Sequence, residues 1–246
     1  MSTDHRDDRA ASFDRAAAVY QATRPSYPDE AVRWSVPALA RDVLDLAAGT
    51  GKLTERLVAL GWHVVAVEPS DAMRAELTAA LPDVGALPGT AERMSLPDAS
   101  VDAVTIAQAW HWVDPPMAAA EIARVLRPGG QVAPLWNVRD EETDWVARWT
   151  EIVHRGDGLE TSYRDPELGD AFTEPEHATF HWTQRLRTAD LRTLAASRSH
   201  LILLPPDERD ALLDEIDELV ATHPDLRGRE WIDVPYRTEC YRARLR

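Results

Sequence analysis

From Arg41 to Trp136 short apolar runs alternate with segments of helical periodicity, and few folds accept that alternation. Strands read at Val43–Ala47, Trp62–Glu68, Val84–Gly89, Val101–Ala107 and Gln131–Trp136. Helices read at Lys52–Leu60, Ser70–Ala80 and Pro116–Leu126. Val101–Ala107 is mostly apolar, as a strand covered on both faces must be. Strands and helices repeated at this spacing imply right-handed βαβ units and a parallel sheet. Gly61 suits a helix C-terminus, and Arg127-Pro128-Gly129-Gly130 closes the third helix.

The flanks read differently. Ser12–Ala22 is a short helical pattern stopped by Arg24-Pro25-Ser26-Tyr27-Pro28, and Asp29–Ala40 resumes one with Pro37 near its end. Beyond a boundary near Asp140, Thr143–Val153, Ala189–Ser197 and Pro206–Thr222 read as helices. Arg155–Pro175 is polar and rich in turn formers; Thr179–Arg187 alternates like a strand, and Tyr236–Arg244 reads as a closing edge strand. Three regions are expected: residues 1–40 as an N-terminal helical segment, 41–140 as an α/β core, and 141–246 as helices and final strands of the same domain.

At 246 residues and 44% hydrophobic, the chain can bury a sizeable core. Its net charge of −15, from 27 Lys+Arg against 42 Asp+Glu, argues against a DNA or RNA substrate, which calls for a basic face. The single cysteine, Cys240, permits no internal disulfide and suits a reducing compartment. The start, MSTDHRDDRAAS, lacks the apolar region of a signal peptide, and no apolar run approaches a membrane span. A cytoplasmic protein without a membrane association, monomeric or homodimeric, is the expectation.

The chemistry concentrates after the first strand. In VLDLAAGTGKLT, Asp45 precedes a turn of small residues, Ala47, Ala48, Gly49, Thr50 and Gly51, and a helix follows. Such a turn lets a ligand approach the backbone, and the helix start offers free N–H groups. A P-loop is excluded, because Gly51-Lys52 is followed by Leu53 and the preceding Gly is too near. A dinucleotide fingerprint lacks its third glycine, since Thr54 stands there. An acid beside the turn disfavours pyrophosphate and suits a cationic ligand group such as those of S-adenosylmethionine (SAM), which has no phosphate.

Glu68 ends the second strand, where a carboxylate can accept both hydroxyls of a ribose. Thr90 and the backbone N–H of Ala91, in Gly89-Thr90-Ala91-Glu92, can meet an adenine edge. Gln108-Ala109-Trp110-His111-Trp112 follows the fourth strand at a sheet's ligand-binding end. There Trp110 and Trp112 can line an acceptor pocket, and His111 can serve as a general base or simply hydrogen-bond. Arg139, after the fifth strand, can grip a carboxylate or pair with Asp140. Asp98 and Asp102 read as turn and strand-start residues rather than catalysts. His177 and His181, spaced i,i+4, lie in a strand-like run without a supporting acid or Cys constellation, so no metal site is expected. Trp145 and Trp149, one helical turn apart, read as a buried stripe.

In order and spacing, VLDLAAGTGKLT, VVAVEPSDAM, GTAERMSLPDASVDAVTIAQAWHW and LRPGGQVAPLWN resemble the class I SAM-dependent methyltransferases. Within them the chain looks most like the small-molecule branch that includes trans-aconitate methyltransferase-like proteins. The resemblance covers roughly Phe13 to Arg139 and is looser beyond. It implies a Rossmann-like three-layer sandwich: a mostly parallel seven-stranded sheet with an antiparallel closing strand, plus helical insertions in the C-terminal half.

The cofactor implied is S-adenosyl-L-methionine and the partner a small-molecule methyl acceptor, methylated at a carboxylate, hydroxyl or amine. Asp45, Ala47, Ala48, Gly49 and Gly51 would hold the methionine moiety, Glu68 the ribose, and Pro69 and Met73 the adenine faces. Thr90, Ala91 and Glu92 match the adenine loop, and Gln108 the junction with the acceptor. Tyr20 and Arg24 match a segment that closes over the cofactor, with Arg24 on the methionine carboxylate. His111 is the candidate catalytic base, and Trp110, His111, Trp136 and Arg139 are the candidate acceptor contacts. The chain departs from the family twice. Ala47 stands where glycine is common, which keeps the turn if φ there is negative, and Thr90 stands where Asp is common. A SAM-binding regulator without methyl transfer, and an NAD-linked oxidoreductase, stay open as alternatives.

Overall fold

The computed structural model describes residues 24–156 and 166–246; the expected helix at 12–22, Tyr20 and the loop around Tyr163 lie outside them. Seven strands form one sheet in the order β3-β2-β1-β4-β5-β7-β6. They are β1 (Asp42–Leu46), β2 (His63–Val67), β3 (Gly85–Leu87), β4 (Val101–Ala107), β5 (Leu126–Arg139), β6 (Glu176–Arg187) and β7 (Trp231–Arg244). The first five pair in parallel, with Leu44 opposite Val65 and Val104. The last two are antiparallel closing strands. The fold is the Rossmann-like α/β sandwich that the alternation requires, with helical insertions after β5.

The chain divides into two compact units. The first, residues 26–137, 163–180 and 238–246, contains β1 to β4, most of β5, and helices α1 (Asp29–Ser35), α2 (Lys52–Ala59), α3 (Asp71–Ala80) and α4 (Pro115–Val125). Tyr27, Ala31, Val32, Leu53 and Leu57 pack with Val43, Ala103, Ala133, Leu135 and Cys240. Leu57 is fully buried, and burying a side chain of that size contributes about 1.5–3 kcal/mol. Ala66, Leu77 and Val84 form a smaller cluster. The second unit, within residues 138–162 and 181–237, is a helical assembly. Its helices α5 (Asp144–His154), α6 (Asp190–Ala196) and α8 (Pro206–Thr222) supply Trp145, Trp149, Leu191, Leu194, Leu213 and Ile216 to a core with Val234 and Tyr236. A five-residue helix, α7 (Ser199–Leu203), has no counterpart in the sequence reading.

Two expectations are corrected. The first helix ends at Ser35, not Ala40, because Val36 precedes Pro37 and takes φ −115°, ψ 131°; the proline ring crowds a helical residue before it. The last strand is not the sheet's edge: β7 lies between β5 and β6. Its alternate residues Ile232, Val234, Tyr236, Thr238 and Cys240 are buried accordingly, while the true edge, β6, is exposed along most of its length. Cys240 is fully buried, which pushes its thiol up to about 12. Among the described residues no helix is long and apolar enough to cross a membrane.

A polar clamp fastens the loop before β4 to α4. Arg124 donates from Nε to Glu121 (2.8 Å) and from Nη1 to the Leu96 carbonyl and Asp98 (both 2.7 Å), while Nη2 reaches the Met94 carbonyl (3.2 Å). Glu121 also accepts the Met94 N–H at 2.7 Å, and the Arg124 guanidinium holds its carboxyl below the usual range. Arg124→Ala strands two carbonyls and is expected to lower stability by about 1–3 kcal/mol. Arg124→Lys should recover only part, because an ammonium cannot fork across these acceptors. Urea midpoints measure both, and an unchanged midpoint in Arg124→Ala would refute the clamp.

Candidate functional site

The site is built at the carboxyl ends of β1, β2 and β4. After Leu46 the chain leaves the sheet through Ala47 at φ 55°, Gly49 at φ 57° and Gly51 at φ 87°. The condition of a negative φ at Ala47 is not met: an L-residue occupies the left-handed region where the family favours glycine, at a cost of about 1–2 kcal/mol. The Ala48 N–H is held by the Val67 carbonyl (3.1 Å) and the Gly51 N–H by the Ala48 carbonyl (3.0 Å). A Cβ at Gly51 would also lie 3.0 Å from Leu77 Cγ, so both conformation and packing require glycine. Gln108, just after β4, is likewise left-handed at φ 57°, a feature its residue type does not announce. Its amide nitrogen donates to the Asn137 carbonyl at 3.0 Å.

Two acids meet behind this turn. Asp45 is 1% exposed, and its Oδ2 accepts from Thr54 Oγ1 at 2.6 Å. Its Oδ1 has no hydrogen-bond partner among the described residues. Burial raises its pKa to about 7, aided by the Glu68 charge and opposed by the hydroxyls of Thr54 and Thr105. Glu68, at the end of β2, accepts the Gly49 N–H at Oε2 and the Ser70 N–H at Oε1, each at 2.9 Å. Thr54 supplies the hydroxyl that a third glycine could not. Arg74, equally unforeseen, donates to the Glu68 and Pro69 carbonyls at 2.7 and 2.9 Å.

The adenine-loop residues form a closed turn in which Thr90 and Arg93 exchange backbone bonds of 3.0 and 3.2 Å. Ala91 is buried, and Glu92 accepts the Asp114 N–H at 2.9 Å, fixing the loop to the start of α4. Met73 is buried on α3, with its sulfur 3.7 Å from where a Gly49 Cβ would stand; Pro69 is exposed. Asp45, the turn, Glu68, Met73 and the Thr90 loop thus belong to one unit and converge on adjacent strand ends.

The remaining candidates are placed otherwise. His111 is exposed on the short turn Trp110–Trp112, its ring centroid 4.8 Å from that of Trp112, whereas Trp110 is buried. Trp136 is buried edge-on against Tyr241, with centroids 5.7 Å apart. Arg24 donates to the Ser197 carbonyl at 3.2 Å. Arg139 turns to α5, donating to Thr150 Oγ1 at 2.8 Å, and Asp140 faces His181 instead, at 3.9 Å. His177 and His181 lie on a strand, so their spacing does not bring them onto one helical turn, and His177 pairs with Glu239 at 2.8 Å. Asp102 starts β4 at the opposite end of the sheet, where it accepts the Arg41 and Asp42 N–H groups and faces Arg127. Against a partial desolvation that raises it, these donors bring its carboxyl to about 2.

Neighbouring strand ends furnished with acids, one of them with a buried oxygen lacking a hydrogen-bond partner among the described residues, suit cationic and hydroxyl groups better than a pyrophosphate. The fold is a Rossmann-like α/β sandwich, and these residues gather where such sheets take their ligands. A family described as "methyltransferase domain" matches residues 44–133. An uncharacterized methyltransferase of Mycobacterium tuberculosis is 49% identical over 241 residues, 98% of each chain. One of Schizosaccharomyces pombe is 32% identical, covering 94% of this chain and 95% of its own. The solved structure of a candidate type II methyltransferase of Anaeromyxobacter dehalogenans aligns with TM-score 0.63 and 27% identity, over 90% of this chain and 96% of that one. This chain belongs to the class I SAM-dependent methyltransferase family.

Proposed function

We propose that this protein transfers a methyl group from SAM to a small organic acceptor, through a carboxylate, hydroxyl or amine of that acceptor. The observation that carries the reading is the pair of buried acids, Asp45 and Glu68, at neighbouring strand ends around a left-handed turn. Asp45 and the turn from Ala47 to Gly51 hold the methionine end, with the Asp45 Oδ1 offered to the ammonium. Glu68 takes the ribose hydroxyls. Pro69 and Met73 flank the adenine, and Thr90 and Ala91 meet its edge, on a loop that Glu92 fixes. Gln108 borders the methionine end.

When bound, SAM supplies a methyl group on a sulfonium that is already a good leaving group. The chain's own task is then to align the acceptor and exclude water, which is worth several kcal/mol of barrier. A carboxylate acceptor needs no base. For a hydroxyl or amine, His111, exposed on the turn after β4, removes the proton. The motif order supports a place beside the trans-aconitate methyltransferase-like branch, and the single, buried cysteine is consistent with a reducing compartment.

Calorimetry with SAM, S-adenosylhomocysteine and NADH, followed by a methyl-transfer screen, tests the reading. Binding of the first two with transfer to some acceptor is expected. Binding of NADH but not SAM would overturn it, and SAM binding without transfer to any acceptor would make the protein a sensor rather than an enzyme. With a hydroxyl or amine acceptor, His111→Ala should remove the neutral-pH limb of the rate profile; an unchanged profile excludes His111 as base.

A further inference from the structure

Thr54 is the third residue of α2 and stands where a dinucleotide fingerprint has its last glycine. It is fully buried. A threonine hydroxyl inside a helix can bond back to the carbonyl one turn earlier. Thr54 does otherwise: its Oγ1 crosses to the end of β1 and donates to Asp45 Oδ2 at 2.6 Å. That length is in the range of a hydroxyl bonded to a carboxylate. The other oxygen, Oδ1, is buried and has no hydrogen-bond partner among the described residues.

Burial is the largest influence on Asp45, and it raises the carboxyl. Thr54 is the strongest of the groups that oppose it. From β2 the Glu68 carboxylate repels a charge on Asp45. From β4 the Thr105 hydroxyl supports that charge, but its single proton is also drawn to the Leu44 carbonyl at 3.3 Å. From α2 the Thr54 N–H adds a smaller support. Because Oδ2 is committed to Thr54, the proton of the neutral acid resides on Oδ1. A cation approaching Oδ1 takes that proton's place, and the displaced proton leaves to solvent. A phosphate brought to the same oxygen meets a like charge or a group that must stay protonated. A hydroxyl at this position thus does two things that a glycine cannot: it fixes which oxygen remains for a ligand, and it favours the charged form of the acid.

We propose that Thr54 is a positioning residue of the site: its hydroxyl holds Oδ2 of Asp45, so that a proton and the ammonium of the methionine end compete for Oδ1. The residue in the place of the third glycine then decides that the turn takes a cation. The ammonium rests on the proposed function; the hold of Thr54 on the charge of Asp45 does not.

The test uses the full chain with 13C-labelled aspartate and follows the Asp45 carboxyl signal against pH without ligand. Loss of that signal in Asp45→Asn identifies it. Thr54→Val, nearly the same shape without the hydroxyl, should raise the Asp45 midpoint by about one pH unit or more, the value of one hydrogen bond to a charged group. Thr54→Ser should restore it. By calorimetry, Thr54→Val should bind S-adenosylhomocysteine about tenfold more weakly near pH 6, and the difference should close toward about pH 9, where Asp45 is ionised in both proteins. Methylthioadenosine, which keeps the nucleoside and has no ammonium, should bind both proteins alike. Should Thr54→Val not fold, Thr54→Ala against Thr54→Ser makes the same comparison, since the two differ by the hydroxyl alone. An Asp45 midpoint unmoved by loss of the hydroxyl overturns the inference. So does a weakening that is the same at every pH or is shared by methylthioadenosine, which would mark a merely structural role. A protein that binds no S-adenosylhomocysteine at any pH, yet shows the raised midpoint in Thr54→Val, defeats the proposed function and leaves the hold of Thr54 on Asp45 standing.

Discussion

Glu68→Ala is expected to weaken S-adenosylhomocysteine binding by about a hundredfold or more. Two charge-assisted hydrogen bonds to the ribose would be lost, each worth about 1.5–3 kcal/mol. The substitution also frees the Gly49 and Ser70 N–H groups that the carboxylate now holds at 2.9 Å, so the turn itself loosens. Glu68→Gln keeps the shape and one acceptor oxygen, and should fall between the two. Calorimetry gives the affinities, and a thermal melt of each variant without ligand reports the loosening separately. Full affinity in Glu68→Ala would remove this residue from the site.

The second large effect concerns pH. Asp45 has a folded pKa of about 7, raised first by burial and then by Glu68, against about 4 in the unfolded chain. Between those values the folded protein holds a proton that the unfolded chain has released. Stability contributed by this group is therefore highest below about pH 4 and falls as pH rises to about 7, by a few kcal/mol on an order-of-magnitude scale. Asp45→Asn should flatten that slope in urea titrations run across the same window. An ammonium placed against Oδ1 favours the ionised form, so SAM binding at pH 6 should release a proton. Calorimetry in buffers of different ionisation enthalpy detects that release, and Asp45→Asn should abolish it. Equal slopes in the two proteins would show that Asp45 titrates elsewhere.

The parallel core was legible because strands buried on both faces leave uninterrupted apolar runs; Val101–Ala107 is bounded as its residues suggest. Strand β5 was read short, as Gln131–Trp136, because its Arg127-Pro128-Gly129-Gly130 segment looks like a terminator. The strand instead absorbs those residues in a register shift, pairing Leu126 with Val101 and Gln131 with Ala103. Within the candidate site, Asp45, the turn and Glu68 were legible since each is fixed by its place in a strand–turn–helix unit. Thr54, Arg74 and the bracing of the Thr90 loop through Glu92 were not. Thr54 looks like a failed glycine until its hydroxyl is seen on Asp45, and the Glu92–Asp114 bond spans twenty-two residues that only packing brings together. Trp145 and Trp149 were legible as a buried stripe from their helical spacing, but other aromatic side chains were not. Trp110 and Trp136 sit in the interior, which the types of their neighbours in sequence do not reveal.

The left-handed backbone at Ala47 and Gln108 bears on how a ligand arrives. Strain of this kind persists only where surrounding structure over-determines it. The loops at the ends of β1 and β4 are then preset by folding, and their ordering entropy is not charged to association. A nucleoside should meet this half of its site as a template already cast, and encounter should be governed by diffusion and desolvation rather than by a slow rearrangement of these two turns.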